Sequence, residues 1–293
     1  MAKIAVFTER YTIRSSVELQ ALTNYRLAAF ELGHQVDFLF RSELKFLGNY
    51  DAILIRALTD PLNTSYVVAR MAEMKGLRVI DESESIRICC DKVNMYKRLI
   101  AKNVPMPQTT FLYAKEVTKE NGKELFESLG MPLVLKAPNS SFSAYVEKVK
   151  SVDEFLKVGK KFLRRADRII IQQYMPSEFD WRVVTLNGKI LAVVKYIFAQ
   201  NTWRLMDRSQ DGGQASVIGV KITDADPRLL DVALAAANAI GKSLYGIDLK
   251  EVDGDYYVIE VNDNPNIDAG LEDEHSPNIY KNIILHLAGE EFS

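Results

Sequence analysis

The chain has 293 residues, 47% of them hydrophobic and 26% charged, enough apolar material to bury a sizeable core in two or three compact units. Its net charge of −2 and pI near 6.0 provide no global attraction to nucleic acid or to an anionic membrane, so small-molecule or peptide partners are expected. No apolar run approaches the roughly 20 residues of a membrane helix, and Met1-Ala2-Lys3-Ile4 leads into a strand pattern rather than a signal peptide, so a cytoplasmic location is expected.

In chain order, Lys3 to Thr8 reads as a strand, Ser15 to Leu32 as a helix stopped by Gly33, and Val36 to Phe40 and Ala52 to Ile55 as two further strands. A helix from Tyr66 to Lys75 closes at Gly76 before the strand Arg78 to Ile80. This alternation predicts a parallel sheet covered on both faces, with ligands beyond the carboxyl ends of its strands, near Glu9 to Ser16 and Arg56. Cys89 and Cys90 are sequence neighbours, the pattern of ordinary thiols rather than of a disulfide or a metal site. Asp91 is placed to cap a helix reaching Ala101, which Asn103-Val104-Pro105-Met106-Pro107 ends.

The grammar then becomes mixed α+β. It gives a helix Lys119 to Leu129, strands Leu133 to Ala137 and Tyr145 to Val149, a helix Val152 to Phe162 and a strand Ile169 to Tyr174. Arg182 to Leu186 and Lys189 to Ile197 form a hairpin through Asn187-Gly188. A helix opens at Asp226-Pro227 and closes at Gly241, and a last hairpin joins Tyr245 to Val252 with Tyr256 to Val261. Domain boundaries are expected at 1–88, 89–175 and 176–293.

Three clusters carry the chemistry. Glu260 and Asn262 share a strand face, and a three-residue turn at Asp253 to Asp255 sets Asp248 opposite Glu260, whereas a two-residue turn sets it opposite Ile259. Converging carboxylates repel without a cation, and hard oxygen donors suit Mg²⁺; the plain alternative is a solvated acidic hairpin. In the second cluster, a two-residue Asn187-Gly188 turn sets Arg182 opposite Val193 and Asp180 opposite Lys195, all three charges on one face. That is either a cross-strand ion pair in water or a cationic seat for a transferring phosphoryl group. Third, Lys136 ends an apolar strand ahead of the polar loop holding Ser140, Ser141 and Ser143, able to cradle phosphate, with Lys92 a further cation.

The order Asp91-Lys92, Val104-Pro105-Met106-Pro107, Leu135-Lys136, Gln172-Gln173-Tyr174-Met175, Asp180-Trp181-Arg182, Gly246-Ile247-Asp248-Leu249 and Ile259-Glu260-Val261-Asn262-Asp263-Asn264-Pro265 resembles the RimK-like branch of the ATP-grasp superfamily, over roughly residues 90 to 285. The resemblance implies an α/β chain: an ATP-grasp fold of two α+β subdomains clasping ATP, after a Rossmann-like parallel-sheet N-terminal domain. It also implies that Lys92 and Lys136 contact the α and β phosphates and that Gln173, Tyr174 and Met175 form the hinge that reads adenine. By the same resemblance Glu178 or Asp180 is expected to hold the ribose, and Asp248, Glu260 and Asn262 to bind two Mg²⁺, with Mn²⁺ as an alternative. The resemblance further implies that Arg182 stabilises the transferring phosphoryl group, with Lys195 expected beside it. Two departures stand out: the loop Asn139 to Ala144 has no glycine, and Asn264 to Gly270 ends in Asn and Asp where small residues are usual.

The activity implied is ATP-dependent ligation of a carboxylate to an amine through an acyl phosphate, with an ATP-grasp kinase acting on a hydroxyl and a non-catalytic ATP-binding module as the alternatives. Arg10, Arg14, Arg56, Arg204, Asn266 and Asp268 are candidates for substrate recognition; the arginines, Arg204 following Trp203, suit an anionic, glutamate-like or peptide ligand, and Asn266 and Asp268 imply an altered acceptor. The chain is expected to form a homo-oligomer.

Overall fold

The computed structural model describes residues 1–139, 145–198 and 216–292. In chain order the regular elements are β1 (Lys3–Thr8), α1 (Ser16–Glu31), β2 (Gln35–Leu39), β3 (Ala52–Arg56), α2 (Thr64–Met74), β4 (Arg78–Ile80), α3 (Ser83–Cys89) and α4 (Lys92–Ala101). There follow β5 (Thr109–Tyr113), α5 (Lys119–Leu129), β6 (Leu133–Lys136), β7 (Val146–Val149), α6 (Val152–Phe162) and β8 (Arg168–Gln173). The last group is β9 (Phe179–Leu186), β10 (Lys189–Ile197), β11 (Ser216–Val220), α7 (Pro227–Ile240), β12 (Leu244–Val252), β13 (Asp255–Asp263) and α8 (Ile279–Ala288).

The first sheet is parallel with strand order β2-β1-β3-β4. Strand alternation gives it two apolar faces: Ile4, Val6, Ala52 and Leu54 pack toward α1 and α8, while Ala5, Phe7, Ile53 and Ile55 pack toward α2. The second sheet is antiparallel, β5-β8-β6-β7. Leu133, Leu135, Ile169 and Ile171 bury one of its faces under α5 and α6 through Phe155 and Phe162. The third sheet, β11-β10-β9-β12-β13, is antiparallel throughout. One of its faces, with Val183, Val193, Tyr245, Ile247 and Leu249, rests on α4 and α7. Its opposite face carries the charged residues.

The free edge of β13 is covered by α4 and the chain leading out of it. The Val258 N–H donates to the Pro105 carbonyl at 2.9 Å, the Val261 N–H to Met95 Sδ at 3.2 Å, and the Tyr96 hydroxyl to the Ile259 carbonyl at 2.7 Å. Helix starts follow the expected capping chemistry: the side chains of Ser15, Asp91, Thr118, Ser151 and Asp226 each accept from backbone N–H groups of the first turn. Both cysteines are free.

Two registers differ from expectation. The Asp253-Gly254 turn has two residues, both at positive φ (53° and 82°), which pairs Val252 with Asp255. A bulge at Ile259 then restores Asp248 opposite Glu260. At Asn187-Gly188 the two-residue turn is as expected, but a bulge at Leu191 shifts the pairing by one: Arg182 faces Val194, Trp181 faces Lys195, and Asp180 faces Tyr196. Lys195 is therefore on the opposite face of the sheet from Arg182 and Asp180, with its ammonium 3.5 Å from the Phe179 ring centroid. Several elements were not anticipated: α3, β5, β11, α8 and the 3₁₀ stretch Arg41–Asn49.

Candidate active site

On the face of the third sheet away from α7, alternation and the two bulges bring together Asp180 and Arg182 of β9, Tyr196 of β10, Asp248 and Lys250 of β12, and Glu260 and Asn262 of β13. Arg182 grips Asp248 with both prongs, Nε to Oδ1 at 2.7 Å and Nη2 to Oδ2 at 2.9 Å. Asn262 Nδ2 donates to Asp248 Oδ2 at 3.0 Å and to the Gly246 carbonyl at 3.3 Å. Lys250 Nζ lies 2.6 Å from Asp180 Oδ1, and Lys92 Nζ 2.6 Å from Glu260 Oε1.

The lysine side of the cleft is built by α4 and β6. The Lys92 N–H donates to the Pro138 carbonyl at 3.0 Å, tying the start of α4 to the end of β6. Lys136 is buried and donates from Nζ to the Tyr96 hydroxyl at 2.7 Å. Burial pushes its pKa down to about 8, with the charge of Glu260 resisting and that of Lys92 assisting. Burial acts to raise the Glu260 pKa, but Lys92, Lys136 and Arg182 outweigh it and hold the carboxylate below its ordinary value. For Arg182, burial opposes the charge and Asp248 and Tyr196 more than compensate, so the pKa moves up. Asp180 moves up through burial despite Lys250.

The structure brings Lys92, Lys136, Asp180, Arg182, Asp248, Glu260 and Asn262 into this cleft and leaves Lys195 outside it. Asp180 is opposite Tyr196 rather than Lys195, and its ion partner is Lys250, which leaves the exposed Glu178 as the freer of the two ribose candidates. Gln173 ends β8, and its N–H is committed to the Gln108 carbonyl at 2.9 Å. Lys148 Nζ is 4.4 Å from the Tyr174 ring centroid. Ser140, Ser141, Ser143 and Arg204 lie outside the described residues.

Arg56, at the carboxyl end of β3, donates from Nη1 to Asn264 Oδ1 at 2.7 Å and to the Pro265 carbonyl at 2.8 Å, bringing the first sheet to the segment after the acidic strand. Asp268 lies on that segment, half-buried, its pKa raised by burial and lowered by Arg56 and Arg182. Arg10, Arg14 and Asn266 are exposed, and among the described residues the side chains of Arg10 and Arg14 make no hydrogen bond or ion pair.

Asp248, Glu260 and the amide of Asn262 form a hard-oxygen set of the kind Mg²⁺ uses, completed by water and phosphate. No group of three or more His, Cys, Asp or Glu placed to hold a metal occurs among the described residues, so the fit rests on two carboxylates and an amide. Each carboxylate is matched by a cationic side chain, Arg182 or Lys92, in the ligand-free protein. These carboxylates require positive charge, and the donor chemistry fits the metal.

Sequence reasoning missed Tyr96, Tyr196, Lys250 and Glu272. Tyr96 is one helical turn beyond Lys92 and Lys250 is two residues beyond Asp248, so helix and strand periodicity could have found both. Tyr196 reaches the site only because of the Leu191 bulge, and Glu272 only through a long-range contact.

The family profile described as the RimK-like ATP-grasp domain matches residues 89–287. The chain is 26% identical over 252 residues to the glutamate–LysW ligase ArgX of Sulfolobus acidocaldarius, covering 82% of this chain and 83% of that one. It is 25% identical over 310 residues to a probable alpha-L-glutamate ligase of Marinomonas sp., covering 99% and 96%. Its fold matches the D-alanine–D-alanine ligase of Bacillus anthracis complexed with ATP at a TM-score of 0.72, with 19% identity and coverage of 99% and 97%. No helix among the described residues is long and apolar enough to cross a membrane. With the profile spanning most of its length and the clasp of two antiparallel sheets in place, the chain belongs to the RimK-like ATP-grasp family.

Proposed function

We propose that the protein is an ATP- and Mg²⁺-dependent carboxylate–amine ligase that forms an amide through an acyl phosphate. The observation that carries the reading is the convergence of Arg182, Asp248, Glu260 and Asn262 with Lys92 and Lys136, cations and hard-oxygen acids from three parts of the chain facing one cleft.

A carboxylate is a poor electrophile because the oxide it would expel is strongly basic. Attack of a carboxylate oxygen on the γ-phosphorus of ATP breaks the bond to ADP and forms the acyl phosphate. The amine then adds to the carbonyl carbon, phosphate leaves with that oxygen, and the ammonium proton passes to solvent or a nearby base. Lys92 and Lys136 bind the triphosphate, and the Arg182 guanidinium faces the charge that grows on the transferring group. Bound at Asp248, Glu260 and Asn262, Mg²⁺ supplies charge neutralisation to the phosphates. Tyr174 and Met175 take adenine, and Glu178 takes the ribose.

Arg56, with Asp268 nearby, is assigned to the substrates, and the relatives named as glutamate ligases favour an amino acid or a peptide end. Self-association in solution belongs to the same reading. A coupled ADP-release screen over pairs of amino acids and peptides, with products identified by mass, tests it. An amide product that depends on both partners supports the ligase, and a phosphoester with no amine requirement contradicts it.

A further inference from the structure

The Leu191 bulge that removes Lys195 from the active face sets Tyr196 on it instead. The Tyr196 ring lies 5.1 Å from the Arg182 guanidinium carbon, and its hydroxyl is 3.4 Å from Nη1. The same hydroxyl donates its proton to Glu272 Oε1 at 2.8 Å. Glu272, 2% exposed, comes from the segment between β13 and α8, and its Oε2 accepts the Asp268 N–H at 2.8 Å. With its proton committed to the carboxylate, the phenol oxygen can only accept from the guanidinium, which fixes the polarity of the chain Arg182 to Tyr196 to Glu272.

We infer that Glu272, acting through Tyr196, is a positioning residue for the Arg182 guanidinium, an inference that rests on the ligase reading above. Arg182 has two anchors. One is Asp248, a carboxylate that the same reading commits to a cation. The other is Tyr196, which depends on no ligand and keeps Nη1 in place when the hold of Asp248 is shared. Nothing in the transfer chemistry calls for a buried carboxylate at residue 272, but as the acceptor of the phenol's proton it turns the oxygen lone pairs toward the guanidinium.

Tyr196→Phe deletes one oxygen and leaves the ring stacking intact. With a competent substrate pair it should lower kcat about tenfold, the usual effect of losing a hydrogen bond to a charged group, while the KM for ATP moves by less than about threefold. The same change made in an Arg182→Ala background should cost nothing further, because the residue it positions is gone. Glu272→Gln, which keeps an acceptor for the hydroxyl, should retain more turnover than Glu272→Ala. In nucleotide-free protein with nitrogen-15-labelled arginine, the Arg182 Nη1 group should rotate slowly in the wild type and faster in Tyr196→Phe, while Nη2, still held by Asp248, stays slow in both. Losses that multiply in the double variant, or an Arg182 spectrum unchanged by Tyr196→Phe, would overturn the inference. If no substrate pair gives product with the wild type, the ligase reading fails on its own, and the arginine spectrum still decides whether Tyr196 holds Arg182.

Discussion

At Asp248 two demands meet on one carboxylate: it accepts both prongs of Arg182, and it is a proposed seat for Mg²⁺. Both side chains are mostly buried, 15% and 11% exposed, so removing the arginine strands an anion, a change that typically costs about 3–5 kcal/mol. Arg182→Ala should therefore melt lower than the wild type without metal and gain more from added Mg²⁺, since the cation replaces the lost charge. Equal gains in the two proteins, read by calorimetry across a Mg²⁺ titration, would show that Asp248 does not hold the ion. Turnover of this variant should fall by roughly 10²-fold or more, with ATP affinity changing much less. Lys136 behaves oppositely. Its folded pKa of about 8 lies below the ordinary lysine value, so the folded protein carries a disfavoured charge below pH 8 and is relieved of it as pH rises toward the unfolded value. Lys136→Met should match or exceed the wild type in thermal midpoint at pH 7 and bind ATP more weakly, with the wild type closing the gap as pH rises past 8. A large loss of stability at pH 7 would instead make Lys136 a structural residue.

The hairpins show what local sequence encodes and what it does not. Asn187-Gly188 and Asp253-Gly254 each supply two successive positive φ values, the requirement of a two-residue turn, and the first was legible from composition alone. The bulges at Leu191 and Ile259 were not, because an unpaired residue in a ladder is selected by the packing of neighbouring strands rather than by its own chemistry. One bulge corrected the expected pairing of Lys195. The other preserved the expected pairing of Asp248 with Glu260 although the turn was shorter than anticipated. Most helices were readable because their caps are local, whereas α8 starts at Asn278 without a side-chain cap and buries apolar residues on several sides. Gly246 in β12 carries a further element-level constraint: a Cβ there would lie 2.7 Å from Pro265 Cβ, in the segment that Arg56 holds. Gly246→Ala should destabilise by about 1–3 kcal/mol, as overpacking does, and lower the midpoint of a denaturant titration. An unchanged midpoint would mean that the segment is free to yield.

Across the whole molecule, the site exists where three sheets are drawn together. The C-terminal helix α8 returns to the first sheet beside α1, where Tyr25 and Tyr280 meet edge to face with centroids 4.9 Å apart, and Arg78 Nε donates to the Leu287 carbonyl at 2.6 Å. This closure sets Arg56 of the first sheet against Asn264 and Pro265, just beyond the acidic strand of the third. Candidate residues spaced within one strand or one helical turn could be read in advance. Partnerships between segments distant in sequence, such as Tyr196 with Glu272 or Lys250 with Asp180, could not, since they depend on which elements the fold brings together. In the proposed reaction this junction activates a carboxylate by phosphorylation before an amine displaces the phosphate. The most direct measurement supplies a substrate carboxylate labelled with heavy oxygen, together with ATP, Mg²⁺ and the amine, and follows the label by mass. One labelled oxygen should appear in the inorganic phosphate for each amide formed, because the oxygen that attacks the γ-phosphorus leaves with it. Amide formation with unlabelled phosphate would contradict the acyl phosphate.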